Sequence, residues 1–224
     1  MSISTTTQQD QELKTAVEHE LSWEPSIDAQ EIGVGVHGGV VTLSGQVSSY
    51  LHKVAAGKAA LRTRGATTVA NDIAVHFRGD PPTDTDLAVA ARAAINANSV
   101  IPRNHVKAEF RNHFASLTGE VMWDYQRRAA AKSVAAIDGV RGVNNQIRLT
   151  PRPPADSAET EGLIRRAFAR DAIVDAAHVH AAVHGDRIVL TGSVASHAER
   201  RAAERAAWSS PHVNTVDNRL TIRS

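Results

Sequence analysis

The stretch Val41-Thr-Leu-Ser-Gly-Gln-Val47 decides the fold, because the chain repeats it twice. It returns as Ala115-Ser-Leu-Thr-Gly-Glu-Val121 and as Ile188-Val-Leu-Thr-Gly-Ser-Val194. The glycines are 74 and then 73 residues apart, and an Asn follows each of them 26 positions later. These repeated residues are Gly45, Gly119, Gly192, Asn71, Asn145 and Asn218. A fixed repeat of this length predicts three copies of one small domain.

The repeat also sets the domain boundaries of the 224-residue chain. We predict domains over residues 10–77, 83–150 and 156–222, joined by a linker at 78–82 and a proline-rich linker at 151–155. Residues 1–9 are polar and are predicted to be disordered. Each copy is near the lower size limit for a domain that folds alone, so its core is modest.

Composition excludes several kinds of protein. The chain has no cysteine, which excludes disulfides and thiolate metal sites. We expect no secretory signal and no transmembrane anchor, and therefore a cytoplasmic protein, with a peripheral place at the membrane as the alternative. The net charge of +1 argues against nucleic acid as a partner. Residues 83–150 are the most basic copy, with nine Lys and Arg against six Asp and Glu.

Hydrophobic spacing predicts the elements of each copy. Leu13, Val17 and Leu21 recur at helical spacing after Asp10, the expected helix cap. Two strands, an alanine-rich helix and a last strand at residues 71–77 follow. We therefore predict an α+β fold of three tandem small domains, each α-β-β-α-β with a three-stranded sheet packed against two helices. The last strand is predicted to run parallel to the second. The pattern does not decide whether it lies beside the first or the second strand in the sheet.

Two details of the other copies are also predicted. The first helix of the second copy is expected to be capped by Thr85 or Asp86. In the third copy, the loop from the first helix to the first strand is expected to be three or four residues shorter.

The repeated residues are structural types. A glycine inside a strand indicates a bulge or the close approach of another backbone. Each repeated Asn is a candidate ligand, but a side-chain bond to the backbone at the entrance of the last strand is the favoured interpretation. No catalytic constellation repeats with them, so we predict that the protein is not an enzyme.

The hairpin ending in Val/Ile-x-Leu-Ser/Thr-Gly-x-Val, the alanine-rich helix and the following Asn resemble the BON domain in all three copies. The resemblance implies a non-enzymatic protein. It also implies association with phospholipid membranes, a role in osmotic or envelope stress and, for one cytoplasmic member type, binding of potassium ions.

Three other patterns are weaker. Gly33-Val-Gly-Val-His-Gly38 matches a dinucleotide fingerprint but lies in a predicted hairpin instead of before a helix. Arg78-Gly-Asp80 is an adhesion tripeptide, which we interpret as a turn. His178, His180 and His184 lie close together in the sequence without a recurring carboxylate. We therefore predict no cofactor and no metal site.

One cluster belongs to the second copy alone. At the start of its second helix it carries Met122, Trp123, Tyr125, Arg127 and Arg128. Aromatic rings at headgroup level and arginines on anionic phosphates are typical of membrane contact, while packing between domains is the alternative. We therefore predict an anionic phospholipid surface as the partner. A potassium-binding module, with carbonyl ligands in the turns near the repeated glycines, and a protein-binding scaffold are the alternatives.

Overall fold

The computed structural model describes residues 2–77, 79–150, 157–171, 173–210 and 213–223. The first domain contains α1 (Ser2–Ser22), β1 (Ile32–His37), β2 (Val40–Val47), α2 (Tyr50–Arg62), β3 (Thr68–Asn71) and β4 (Ala74–Val75). The second contains α3 (Asp84–Ala97), β5 (Val106–Arg111), β6 (Phe114–Val121), α4 (Asp124–Ala135), β7 (Gly142–Asn145) and β8 (Arg148–Leu149). The third contains α5 (Ser157–Arg170), β9 (Val179–His184), β10 (Arg187–Val194), α6 (His197–Trp208), β11 (Thr215–Asn218) and β12 (Thr221–Ile222). The predicted α+β fold with three repeated domains is confirmed.

The second strand is the centre of each sheet. In the first domain β1 pairs with one side of β2 in antiparallel fashion, and β3 and β4 pair in parallel with the other side. The last strand therefore lies beside the second strand in every domain. It starts earlier than the predicted residues 71–77 and is in two pieces, because Ile73 leaves the ladder and enters the core, where it is 1% exposed.

Small side chains let the helices approach the sheet closely. The predicted stripe of Leu13, Val17 and Leu21 is buried in the core of the first domain, where α1 packs against β1 and α2. Three alanines of α2 are fully buried in the same core: Ala56, Ala59 and Ala60. The third domain has an equivalent core, against which the half-buried Trp208 packs.

The predictions for the N-terminus are wrong. Helix α1 begins at Ser2, so residues 2–9 are helical, and Asp10 lies inside the helix instead of capping it. No Gly or Pro before Asp10 interrupts helical propagation. The Asp10 carboxylate accepts hydrogen bonds from the N–H groups of Gly38 and Gly39 at 2.9 and 3.2 Å. Asp10 therefore fixes the tip of the first hairpin to α1.

Two further details differ from prediction. The N-cap of α3 is Thr83, which forms a capping box with Asp86. The connection from first helix to first strand is eight residues in both the second and the third domain, so the expected shortening is wrong. Phe168, the last buried residue of α5, stands 73 residues after Ile95 of α3, and both domains keep the same spacing to the strand.

The described chain divides into two compact units: the first holds the first domain and most of the second, and the other holds Met122–Asp124 and the residues from Leu149 onward. Within the first unit, the ring of Phe77 lies 5.4 Å from that of His113, at the hairpin tip of the second domain, and 5.0 Å from the guanidinium carbon of Arg141. Arg78 and residues 151–156, which include the predicted linker at 151–155, lie outside the described residues. Among the described helices, none combines the length and the apolar character needed to cross a bilayer.

Candidate functional site

The repeated glycines close the hairpin onto the first strand. Gly45, Gly119 and Gly192 have φ angles of +112°, +130° and +117°. A Cβ atom on them would lie 2.0, 1.9 and 2.0 Å from the carbonyl oxygen of the residue that precedes the first strand. Only glycine fits such an approach, so this motif has a steric explanation in all three domains.

The repeated asparagines tie the last strand to the second helix. The side-chain amides of Asn71 and Asn145 donate to backbone carbonyls near the start of that helix, at 2.8 and 2.9 Å. Asn218 donates instead to the carboxylate of Glu204 at 3.2 Å. The sequence analysis had placed each Asn at the entrance of the last strand. In the structure each Asn is instead the last residue of the first piece of the divided strand.

The predicted contact cluster runs from the end of β6 into the second turn of α4. Met122 and Tyr125 are 56% and 51% exposed, and Arg128 is also exposed. Trp123 and Arg127 are half-buried. The exposed members therefore do not include Trp123, which the sequence analysis had listed among the contact residues.

The structure adds Lys132 to this cluster. Tyr125, Arg128 and Lys132 follow one another at i, i+3 and i+7 along α4, and all three are exposed. This spacing places them on one side of the helix. We call these three residues the α4 face. The corresponding positions of α6 hold Ala198, Arg201 and Arg205, without an aromatic ring.

A second feature of the same domain was not predicted from the sequence. A groove of about 590 Å³ lies between α3 and the first strand of the sheet, β5. We call it the α3–β5 groove; its lining residues are Thr85, Ala88, Val89, Arg92, Ile95, Asn96, Asn104, Val106, Lys107 and Ala108. The lining is mostly apolar, with two cationic residues and no acidic one.

The two cations of the groove carry uncompensated charge. Arg92 and Lys107 are both exposed, and within the described part of the chain neither forms an ion pair or a side-chain hydrogen bond. An apolar cleft with a few polar groups is the usual form of a binding site, and its volume lies within the common range of about 300–1,000 Å³. The charge favours an anionic occupant.

The other domains place different residues at the same positions. In the first domain Lys14 and Glu18 stand where the second has Ala88 and Arg92, and they approach to 3.8 Å as an i,i+4 ion pair. In the third domain Glu161 takes the place of Ala88, and its carboxylate accepts a hydrogen bond from the N–H of Val183 at 2.8 Å. An alignment of the three copies shows a charged residue at this position in the first and third and an alanine in the second. That difference is the sequence signal that could have indicated the groove.

The weaker motifs do not form sites. Gly33 and Gly35 lie in β1, and Gly38 lies in the hairpin turn, so the glycine fingerprint meets no helix N-terminus. Of the adhesion tripeptide, Arg78 lies outside the described residues. Among those described, no group of three His, Cys, Asp or Glu side chains has metal-binding geometry.

The histidine cluster of the third domain has another arrangement. The Nδ1 atom of His178 lies 2.7 Å from a carboxylate oxygen of Asp175, and this hydrogen bond lowers the pKa of Asp175. The pKa of Asp217 is also lowered, first by its hydrogen bonds with Arg219 and then by those with Arg187. These carboxylates are charged partners of neighbouring side chains at neutral pH.

Residues 9–76, 83–151 and 156–224 each match the family model described as BON domain. Among curated proteins, osmotically-inducible protein Y of Escherichia coli (strain K12) is 30% identical over 132 residues, which cover 55% of this chain and 64% of that protein. Two solved structures of CdsD, a structural protein of the type III secretion system of Chlamydia trachomatis, are each 12% identical. They cover 95% of this chain and 92% and 98% of their own chains, with TM-scores of 0.28 and 0.27.

Proposed function

Since the chain belongs to the BON domain family, we propose that it is a non-enzymatic binding protein of the osmotic stress response that associates with anionic phospholipid through its second domain. The osmotic role is supported by the 30% identity to a protein named for osmotic induction. That match spans less than two thirds of the relative's length, so a shared activity is part of the proposal.

The α4 face is the observation that carries the lipid proposal. Tyr125 offers an amphipathic ring, which is the kind of side chain that settles at the headgroup level. Arg128 and Lys132 place two positive charges on the same side of the helix, and each contributes about 1 kcal/mol near an anionic membrane surface. Of the predicted contact residues, Met122 is exposed as well, whereas Trp123 and Arg127 are less accessible.

Vesicle flotation tests this proposal directly. The full chain should float with vesicles that contain phosphatidylglycerol and not with pure phosphatidylcholine, and added salt should weaken the association. Replacing Arg128 and Lys132 by Gln removes about 2 kcal/mol, which is about a 30-fold loss in partitioning. Tyr125→Ala should weaken binding with little change in the salt dependence.

The matched control is Arg103→Gln, which removes an exposed charge from the same domain outside the α4 face. If it lowers partitioning as much as the α4 variants do, net charge alone drives binding and the assignment to α4 is wrong. Equal flotation with neutral vesicles would reject the anionic lipid proposal itself. A cytoplasmic location stays a prediction, which cell fractionation checks.

Potassium binding is the less supported alternative. It relies on carbonyl oxygens near the repeated glycines, and two of these already accept backbone hydrogen bonds. Glu120 N–H donates to His105 at 3.2 Å, and Ser193 N–H donates to His178 at 3.1 Å. Calorimetry with K⁺ against Na⁺ tests it, and the absence of heat with either ion would remove this alternative.

A further inference from the structure

We propose that the α3–β5 groove of the second domain binds an acidic peptide, which pairs as an extended strand with the free edge of β5. This inference goes beyond lipid association, because it concerns a different surface from the α4 face. The free edge, the charge of the groove and the arrangement of the third domain support it in turn.

The hairpin geometry determines which backbone groups of β5 face outward. Strand β5 pairs only with β6 among the described strands and is therefore an edge of its sheet. Because the turn has two residues, Arg111 and Phe114 form the first hydrogen-bonded pair, and bonded pairs then alternate with unbonded ones. The residues whose N–H and C=O groups point away from β6 are thus Val106, Ala108 and Phe110.

Two of these outward-facing residues also line the groove. Val106 and Ala108 are part of its wall, together with apolar residues of α3. A peptide strand placed along β5 would bond to their backbone, while its alternate side chains reach the groove. Edge strands with unpaired N–H and C=O groups are ready templates for such an addition.

The third domain indicates which chemistry the open edge accepts. There, the outward N–H of Val183 is bound by the carboxylate of Glu161 from the neighbouring helix. The equivalent residues of the second domain are Phe110 and Ala88, and a methyl group cannot accept this hydrogen bond. No side chain in the described part of the second domain takes the place of Glu161. The third domain thus satisfies with its own carboxylate what the second leaves open.

The charge of the groove agrees with an acidic strand. Arg92 has no acidic partner within the described residues, so a carboxylate on the groove side of the peptide gains a cationic neighbour without displacing an existing ion pair. Charge-assisted hydrogen bonds of this kind are stronger than neutral ones. A peptide with lysine at the same positions would meet repulsion.

Fluorescence anisotropy with the full-length protein tests the proposal. The probe is a capped hexapeptide in which valine alternates with glutamate, and the comparison peptide has lysine for glutamate. The glutamate peptide should bind at least about tenfold more tightly, and Arg92→Gln should weaken its binding by about tenfold. Arg103→Gln, outside the groove, should leave binding unchanged.

Two measurements separate strand pairing from simple charge attraction. Methylation of the peptide nitrogens on the edge that faces β5 should abolish binding, while methylation on the opposite edge should not. Ala88→Glu should introduce the carboxylate that Glu161 supplies in the third domain and weaken binding by at least about tenfold. Hydrogen exchange at the amides of Ala108 and Phe110 should slow when the peptide is added.

Several outcomes would overturn the proposal. Equal affinity for both peptides, or indifference to the position of the methyl groups, excludes an acidic strand on β5. Protection of Ala108 by phosphatidylglycerol vesicles without peptide would make the groove a lipid site. Protection that rises with protein concentration alone would identify a second copy as the occupant. Because the α4 variants should retain peptide binding, failure of the lipid proposal is distinguishable from failure of this one.

Discussion

Replacing Gly192 by alanine tests whether the repeated glycine is required by the fold. A Cβ atom there would lie 2.0 Å from the carbonyl oxygen of His178, and real Cβ atoms essentially never come within 3.0 Å of such a neighbour. The neighbour is backbone, so no side-chain rotation relieves the overlap. The same carbonyl accepts a hydrogen bond from Ser193 N–H at 3.1 Å, which would be lost as the strands separate.

The expected loss follows from these contacts. An L residue at a φ of +117° costs about 1–3 kcal/mol. Losing one backbone hydrogen bond adds about 1 kcal/mol, so Gly192→Ala should lower the free energy of unfolding by about 2–4 kcal/mol. A domain of roughly 68 residues has about 3–10 kcal/mol in total. The third domain should therefore become marginal or unfold.

The third domain supplies both a reporter and a control. Trp208 packs against its core, so urea unfolding can be followed by its fluorescence after Trp23 and Trp123 are replaced by Phe. Gly162 lies within α5, where a Cβ atom would make only an ordinary contact at 3.7 Å. Gly162→Ala should stabilise the domain by about 0.5–1 kcal/mol. If Gly192→Ala falls within about 0.5 kcal/mol of wild type, the steric explanation of the repeat is wrong.

Two further changes have defined outcomes. Asp84→Ala removes the carboxylate that accepts hydrogen bonds from both backbone N–H groups of the turn at 112–113, at 2.8 and 2.9 Å. The second domain should therefore lose about 2 kcal/mol of its free energy of unfolding, which amide hydrogen exchange measures. The contribution of Asp217 to the free energy of unfolding should depend on pH. Because its pKa is lowered in the folded state, its stabilisation is present above the ordinary aspartate pKa and is lost as pH falls through the lower folded value. Replacing Arg219 and Arg187 by Gln should move the Asp217 titration, followed by NMR, back toward its usual range; an unchanged titration would contradict this.

Periodicity made most of the fold predictable from the sequence. The helix stripe of Leu13, Val17 and Leu21 and the alternation around Gly45 both arise from burial, which imposes a regular spacing on apolar residues. The break in the last strand was missed because Ile73 keeps the same alternation whether or not its backbone stays in the ladder. The start of α1 was missed because polar residues can extend a helix that its apolar face stabilises further along.

The candidate sites were harder to predict, for a different physical reason. Tyr125 and Arg128 were noticed because they lie in one short stretch of the sequence, whereas Lys132 joins them on one side of α4 only once the helix has formed. Arg92 and Lys107 stand on different elements and share the groove only after α3 has packed against β5. The sequence does not show that Arg92 lacks an ion-pair partner among the described residues, because this depends on which residues surround it in the folded domain.

Comparison of the three domains distinguishes the residues that the fold requires from those that are available for binding. The glycine contact is nearly the same in all of them, so it cannot explain what one domain does and the others do not. The first domain pairs Lys14 with Glu18 on its first helix, and the third binds one outward N–H group of its edge strand with Glu161. The second leaves both the charge of Arg92 and the edge of β5 unsatisfied, although a single Ala88→Glu exchange would remove the difference at the edge. The open edge of β5 gains protein hydrogen bonds only when another chain supplies them, and this is the gain that a bound acidic strand would provide.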